Sequence, residues 1–407
     1  WLAAQLPADL RDKVVGYRGL SKDDYLRWHK ILAAKGWSVP HWPVEWGGTG
    51  WNITQRYIYE EEFGLAGAPG LPPFGPAMCA SVLLRFGTPA QKARFLPRIR
   101  EGDDFWVQGY SEPGAGSDLA ALKTRADRVS TASGDHFVVN GQKIWTTLGH
   151  YGDWIFCLVR TDPAAEKRQE GISFLLIDMK TPGITVRPLI LMDGGHEVNE
   201  VFFDNVQLAD DALIGAEGKG WEQVTAELAF ERSGPERLFS SIVLFDEWLA
   251  FVRTKQGRTE SAQRLAGKII SQLSPLRAMS IAVTEKLNRG ESPVVEAALV
   301  KDLGTGVEQL IPAAIADDLF SREQQNAPLE LLLTLNYVTQ ASPSFSLRGG
   351  TRDSLRGIAA LFQHEYCVHL FDLPGFGEAP PPPESWGTID YADLVLVARA
   401  GLPGSSI

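Results

Sequence analysis

Hydrophobic periodicity changes character twice along these 407 residues, and that double switch limits the fold more than any single motif. Residues 1–105 carry apolar side chains at helical spacing, as at Tyr25, Trp28, Ile31 and Leu32 within 22–35, with a second helical segment over 55–63. Pro- and Gly-rich joints at 38–50 and 67–76 separate these helices. Thr88 before Pro89 supplies an N-cap and a first helical position for another. From about 106 to 215, short β-branched and aromatic runs (136–139, 154–160, 171–177, 184–188, 200–203) alternate with turn residues. Asn140-Gly141 reads as a hairpin turn between two such runs. From about 216 the helical spacing returns. Trp221, Val224, Leu228 and Glu231 form one stripe; Leu265, Ile269, Leu273, Leu276 and Met279 form another, with a kink expected at Pro275. A third helical segment covers 294–320.

The order helices, sheet, helices predicts an α+β multidomain chain: a helical domain over 1–105, an antiparallel β domain over 106–215 and a helical domain over 216–358. A parallel-sheet nucleotide fold would alternate strand and helix throughout. The tail, 359–407, fits neither pattern.

Length allows two or three domains with a large core. The 39 basic against 50 acidic residues give a net charge of -11, which argues against a nucleic-acid surface but leaves room for a local anion pocket. Cys79, Cys157 and Cys367 are scattered, with no CxxC or Cys/His cluster, so no metal site is expected. Few cysteines fit a reducing, cytoplasmic setting. No apolar run approaches the length of a membrane span, and no basic-then-apolar leader is read at the start.

Two blocks carry candidate chemistry. Residues 109–118 read Gly-Tyr-Ser-Glu-Pro-Gly-Ala-Gly-Ser-Asp. Gly114 and Gly116 let backbone approach a ligand closely, between the hydroxyls of Ser111 and Ser117. A dinucleotide fingerprint would need a βαβ setting, which the surroundings lack; an ordinary surface turn is the plainer alternative. Residues 140–147 read Asn-Gly-Gln-Lys-Ile-Trp-Thr-Thr. Trp145 beside Thr147 can cover a flat ring and bond its edge, or fill a core. Glu231 continues the apolar stripe of Val224 and Leu228, where a carboxylate is costly unless paired or functional. Arg232 or Arg237 could pair it, and Gly234-Pro235 should interrupt the helix.

With these blocks the chain resembles the acyl-CoA dehydrogenase family from about residue 1 to about 358. The matching stretches are 43–50, 86–97, 108–118, 140–147, 199–205, 218–221, 230–237 and 347–351. The resemblance implies a β-barrel-like middle domain, a C-terminal four-helix bundle and FAD between them. It assigns flavin contacts to Gln108, Tyr110, Ser111, Gly116, Ser117, Trp145, Thr146, Thr147, Thr351 and Asp353, and acyl-CoA contacts to Ser117, Phe230 and Arg232. Some members carry the catalytic base just before the Gly-Thr of a late Gly-Gly-Thr; here that position is Gly349, not an acid. Others, isovaleryl-CoA dehydrogenase among them, carry it on the helix matching 221–238, where Glu231 stands. The implied reaction is α,β-desaturation of an acyl-CoA in fatty-acid or steroid side-chain β-oxidation. Electrons would go to an electron-transfer flavoprotein, and the subunits would form a homo- or hetero-oligomer, dimer or tetramer.

Three segments depart from the family. Residues 251–257, Phe-Val-Arg-Thr-Lys-Gln-Gly, stand where members have Arg-x-x-Phe-Gly against a neighbouring subunit's FAD. Gln324 and Gln325 lack the glycines that usually follow. In the tail, 369–393 resembles an early strand and turn of an α/β-hydrolase, without a Gly-x-Ser-x-Gly elbow. Two other roles therefore stay open: a non-catalytic or half-site subunit of a heteromer, and a flavin oxidase or monooxygenase on the same fold.

Overall fold

The computed structural model describes residues 1–116, 118–132, 134–191, 194–228, 240–289, 291, 293–321 and 327–347, all within one compact unit. After a first turn at Leu2–Gln5, the N-terminal block holds α1 (Ala8–Val15), α2 (Lys22–Lys35), α3 (Ile53–Ala66), α4 (Ala80–Phe86) and α5 (Pro89–Glu101). Three of these start at reciprocal capping boxes: Ser21 with Asp24, Asn52 with Gln55, and Thr88 with Gln91. The same three stop at Gly36, Gly67 and Gly102, each left-handed. The joint expected over 67–76 is shorter than read, because a helical turn occupies Phe74–Cys79.

The middle is a seven-stranded sheet: β1 (Trp106–Gly109), β2 (Arg125–Thr131), β3 (Gly134–Thr147), β4 (Trp154–Arg160), β5 (Ile172–Asp178), β6 (Ile184–Leu189) and β7 (Val198–Ala209). Its order is β1-β4-β2-β3-β7-β6, with β5 also on β4. Pairing is antiparallel except where β1 and one residue of β2 run parallel to β4. β4 reads as one apolar run because both its faces are covered. Phe156 and Leu158 join Leu83, Phe95, Leu96 and Val224 in one core; Ile155 and Cys157 join Phe137, Val201 and Val206 in another. Burial pushes the Cys157 thiol up to about 11, so it behaves as a small apolar filler.

The sequence reading of Asn140-Gly141 as a hairpin turn is corrected. β3 runs straight through, and the β2–β3 turn lies between Thr131 and Gly134. Asn140 Oδ1 instead accepts from the Asn205 amide (2.8 Å), where β7 carries one extra residue against β3. Both a tight turn and a bulge call for residues that tolerate positive φ, so the dipeptide alone could not separate them. Here Gly141 has φ +150 and Asn205 φ +50.

The last block holds α6 (Gly220–Leu228), α7 (Ile242–Val252), α8 (Glu260–Asn288), α9 (Val294–Ser321) and α10 (Leu329–Ala341). α8 continues through Pro275. Trp248 is fully buried at the centre of this block and donates to Asp318 Oδ2 at 2.9 Å. α3 docks on α8, where Arg277 grips Glu61 with two bonds of 2.6 and 2.8 Å. Among the described residues, no helix is long and apolar enough to cross a membrane, and no cluster of three or more acidic, His or Cys side chains could hold a metal.

Candidate functional site

The two blocks lie 22 or more residues apart in sequence and touch in the fold. β1 leaves the sheet at Gly109, where a Cβ would stand 2.8 Å from Ile155 Cδ1, so a larger residue would have to displace the Ile155 side chain. The chain then turns on Pro113-Gly114, closed by paired bonds of 3.0 Å between Glu112 and Ala115. Ser111 O accepts from the Ile144 amide at 2.9 Å, which ties this loop to β3.

A buried ion pair makes the second tie. Lys143 is fully buried; its Nζ is 2.7 Å from Glu112 Oε1 and 3.1 Å from Tyr110 O. Glu112 also accepts from the amides of Lys123 (2.6 Å) and Thr124 (2.9 Å). Burial alone would raise the Glu112 pKa. The Lys143 charge and these hydrogen bonds outweigh it and hold the carboxyl below its ordinary value. Sequence reasoning did not single out Lys143 or Glu112. The signal was parity: Phe137, Val139 and Lys143 occupy alternate positions on β3, and all three are fully buried.

β3 bulges next to the pair. Lys143 faces Val201 and Thr146 faces Asn199, so β3 gains one residue over β7. Trp145 sits in that bulge at φ +60, and Leu148 follows at φ +54. A left-handed non-glycine residue costs about 1–3 kcal/mol and persists only where neighbours enforce it, often at functional sites. The bulge leaves Trp145 58% exposed, Thr147 half-buried and Thr146 buried.

Of the other sequence-predicted residues, Gln108 is half-buried on β1, with Nε2 3.5 Å from Met78 Sδ. Tyr110 is buried with its ring edge-on to Phe156, Ser111 is half-buried and Gly116 is exposed. Ser117, Phe230, Glu231, Arg232, Thr351 and Asp353 lie outside the described residues. The helix leading towards Glu231 is anchored on the sheet. A Cβ on Gly220 would be 2.8 Å from the Ser173 backbone, Gln223 Nε2 donates to Ile214 O (2.7 Å) and Val224 is buried.

Three features suit a flat ligand with hydrogen-bonding edges. A Cβ at Gly114 or Gly116 would meet nothing within 4 Å. Trp145 presents a broad aromatic surface. Thr146 Oγ1 is buried and has no partner among the described residues.

Helices, a twisted sheet and helices again, with paired blocks held on the sheet, define a three-part α+β class. The profiles described as acyl-CoA dehydrogenase N-terminal domain and middle domain match residues 19–103 and 108–206. Acyl-CoA dehydrogenase FadE26 of Mycobacterium tuberculosis is 33% identical over 323 residues, covering 78% of each chain. Acyl-CoA dehydrogenase IpdE1 of the same organism is 42% identical over 240 residues, covering 59% of each. The chain thus spans about three fifths of the length of the first curated relatives it matches. The ChsE4–ChsE5 complex of M. tuberculosis superposes with a TM-score of 0.73 at 26% identity, over 89% of this chain and 97% of that one. The chain belongs to the acyl-CoA dehydrogenase family.

Proposed function

We propose that this chain is an FAD-dependent dehydrogenase that introduces an α,β double bond into an acyl-CoA thioester. The observation that carries the reading is the locking of the two blocks by buried Lys143 and Glu112, two residues along β3 from the exposed Trp145. Gln108, Tyr110, Ser111, Gly116 and Ser117 on the first block would hold the cofactor with Trp145, Thr146 and Thr147 on the second, joined by Thr351 and Asp353. FAD, when bound, would supply the acceptor for the hydride from the β-carbon. Glu231 takes the α-proton, so one proton and one hydride leave the substrate and a carbon–carbon double bond forms.

The α-proton of a thioester is a weak acid, and burial is the means by which a glutamate becomes basic enough to remove it. Donors to the thioester oxygen stabilise the enolate that develops on the substrate. Ser117, Phe230 and Arg232 line the acyl-CoA. An electron-transfer flavoprotein then takes the electrons, in the cytoplasm. The division into domains at 1–105, 106–215 and 216–358, with 359–407 apart, belongs to the same reading, as does a partner subunit, supported by likeness to the ChsE4–ChsE5 complex.

One observation favours a half-site subunit instead. Within 251–257, α7 ends at Val252 and a tight turn follows: Thr254 Oγ1 donates to Phe251 O (2.7 Å) and accepts from the Gly257 amide (3.0 Å). A Cβ at Gly257 would stand 2.1 Å from Phe251 O. Phe251, Thr254 and Gly257 thus close the α7–α8 connection, while Arg253, Lys255 and Gln256 are exposed. The visible spectrum of the purified chain separates the readings. A yellow protein bleached by an acyl-CoA, with Glu231→Gln keeping the colour and losing the bleaching, supports the dehydrogenase. A colourless chain supports the half-site subunit, and unimpaired bleaching in Glu231→Gln removes the base assignment.

A further inference from the structure

We propose that Asn199, held between His150 and His196, is a positioning residue that fixes the Trp145–Leu148 turn at the end of β3, and that the turn loosens when the His150 imidazole gains a proton. The proposal rests on the flavin reading only for its functional consequence.

The left-handed residues Trp145 and Leu148 bracket Thr146 and Thr147, so something must hold the backbone between them. Asn199 is fully buried opposite Thr146, and its Nδ2 donates to Thr146 O at 3.1 Å. Leu148 is tied on the same side, its amide donating to Glu197 O at 2.7 Å. The fit around Asn199 is close: a Cβ on Gly149 would come within 3.2 Å of its Cβ and Nδ2.

The amide of Asn199 can do this in one orientation only. Its Nδ2 has two hydrogens; one goes to Thr146 O and the other to His150 Nδ1, which lies 3.2 Å from Nδ2. Its Oδ1 stands 2.7 Å from His196 Nε2. The network therefore assigns a bare Nδ1 to His150 and an Nε2–H donor to His196. The rings stack with centroids 4.1 Å apart at 26°. A proton on His150 Nδ1 would set N–H against N–H. A second proton on His196 would place a positive charge against the His150 ring. A flipped amide would lose both the Thr146 and the His196 bonds.

The surroundings offer the charged forms little support. Every described hydrogen bond of both imidazoles goes to Asn199. Tyr151 packs 4.0 Å from His150. On the strands packed beside them, Arg187 of β6 lies over Phe202 and Glu200 of β7 accepts from Gln142. The neighbouring Glu197 contributes its backbone oxygen to Leu148. Burial, and then the His196 ring beside it, hold the His150 pKa below its ordinary value. The sign follows: the clamp is present above the ordinary histidine range and is lost as pH falls through the lowered value.

The test follows amide hydrogen exchange of peptides covering 144–151 in the FAD-free chain, and FAD affinity by tryptophan quenching, from about pH 4.5 to about pH 8. Three chains are compared: wild type, Asn199→Ala and His150→Asn, the last placing a non-titrating acceptor near the position of Nδ1. Asn199→Ala should lose about tenfold in Leu148 protection and in FAD affinity, as for one buried hydrogen bond. Wild type should lose both in acid, and His150→Asn should keep both with a flattened pH profile. Unchanged protection in Asn199→Ala overturns the proposal. If that variant does not fold, identical pH profiles for wild type and His150→Asn overturn it. A wild type that binds no FAD, yet loses protection in Asn199→Ala, keeps the clamp and removes FAD binding by the isolated chain.

Discussion

Lys143 holds a fully buried ammonium against Glu112, and such a pair is costly to break from one side. Lys143→Met should destabilise the chain by about 3–5 kcal/mol, because it strands a buried carboxylate. Adding Glu112→Gln should recover much of that loss, since the stranded charge is then gone. Urea unfolding of the wild type and the two variants measures both steps; equal stability of single and double mutants would contradict the pairing argument. The depressed Glu112 pKa sets a pH dependence. Its contribution is present above about 4.5, its unfolded value, and is lost as pH falls through the lowered folded value. Lys143→Met should therefore weaken the chain most at neutral pH and least in strong acid. This pair was hidden in plain reading because a lysine in a strand is ordinarily solvated. Only its parity with Phe137 and Val139 marks it as buried.

Elements were legible wherever local chemistry and burial agree. Ser21, Asn52 and Thr88 cap helices that end at left-handed glycines, and α2 runs over Lys22–Lys35 as the spacing predicts. β4 was legible because an unbroken apolar run marks a strand covered on both faces. β2 was not: Arg125–Thr131 is polar and mostly exposed, and long-range pairing with β3, not its own side chains, makes it a strand. The Asn140-Gly141 misreading has the same cause, because a positive φ states a local need without saying which pairing creates it. Gly141 answers to Thr124, whose Cα would lie 2.7 Å from an added Cβ. Gly141→Ala should cost about 1–3 kcal/mol through strain and collision combined, although a hairpin glycine at a strand tip would tolerate it better. Chemical denaturation checks the value, and a neutral result would mean that the strand shifts to relieve Thr124.

Across the whole described unit, the candidate site depends on parts distant in sequence. Lys22 on α2 holds Asp153 at the entry of β4, Asp153 accepts the Phe105 amide before β1, and Glu61 on α3 holds Arg277 on α8. The first helical block thus touches both the sheet that presents Trp145 and the helices that follow, so a ligand seated on the sheet reports on folding of the whole unit. A ligand that binds only the folded chain stabilises it by RT ln(1 + [L]/Kd), about 2.7 kcal/mol at one hundred times Kd. For a unit of this size that corresponds to a rise of several degrees in the unfolding midpoint. FAD in large excess should therefore raise the thermal midpoint of the purified chain. Lys143→Met should reduce the rise beyond its own lower baseline, because the loop and β3 would no longer be held together. An unchanged midpoint in the wild type, with colourless protein, would assign the cofactor to an assembled pair of subunits, and with it the half-site role that the 251–257 turn favours.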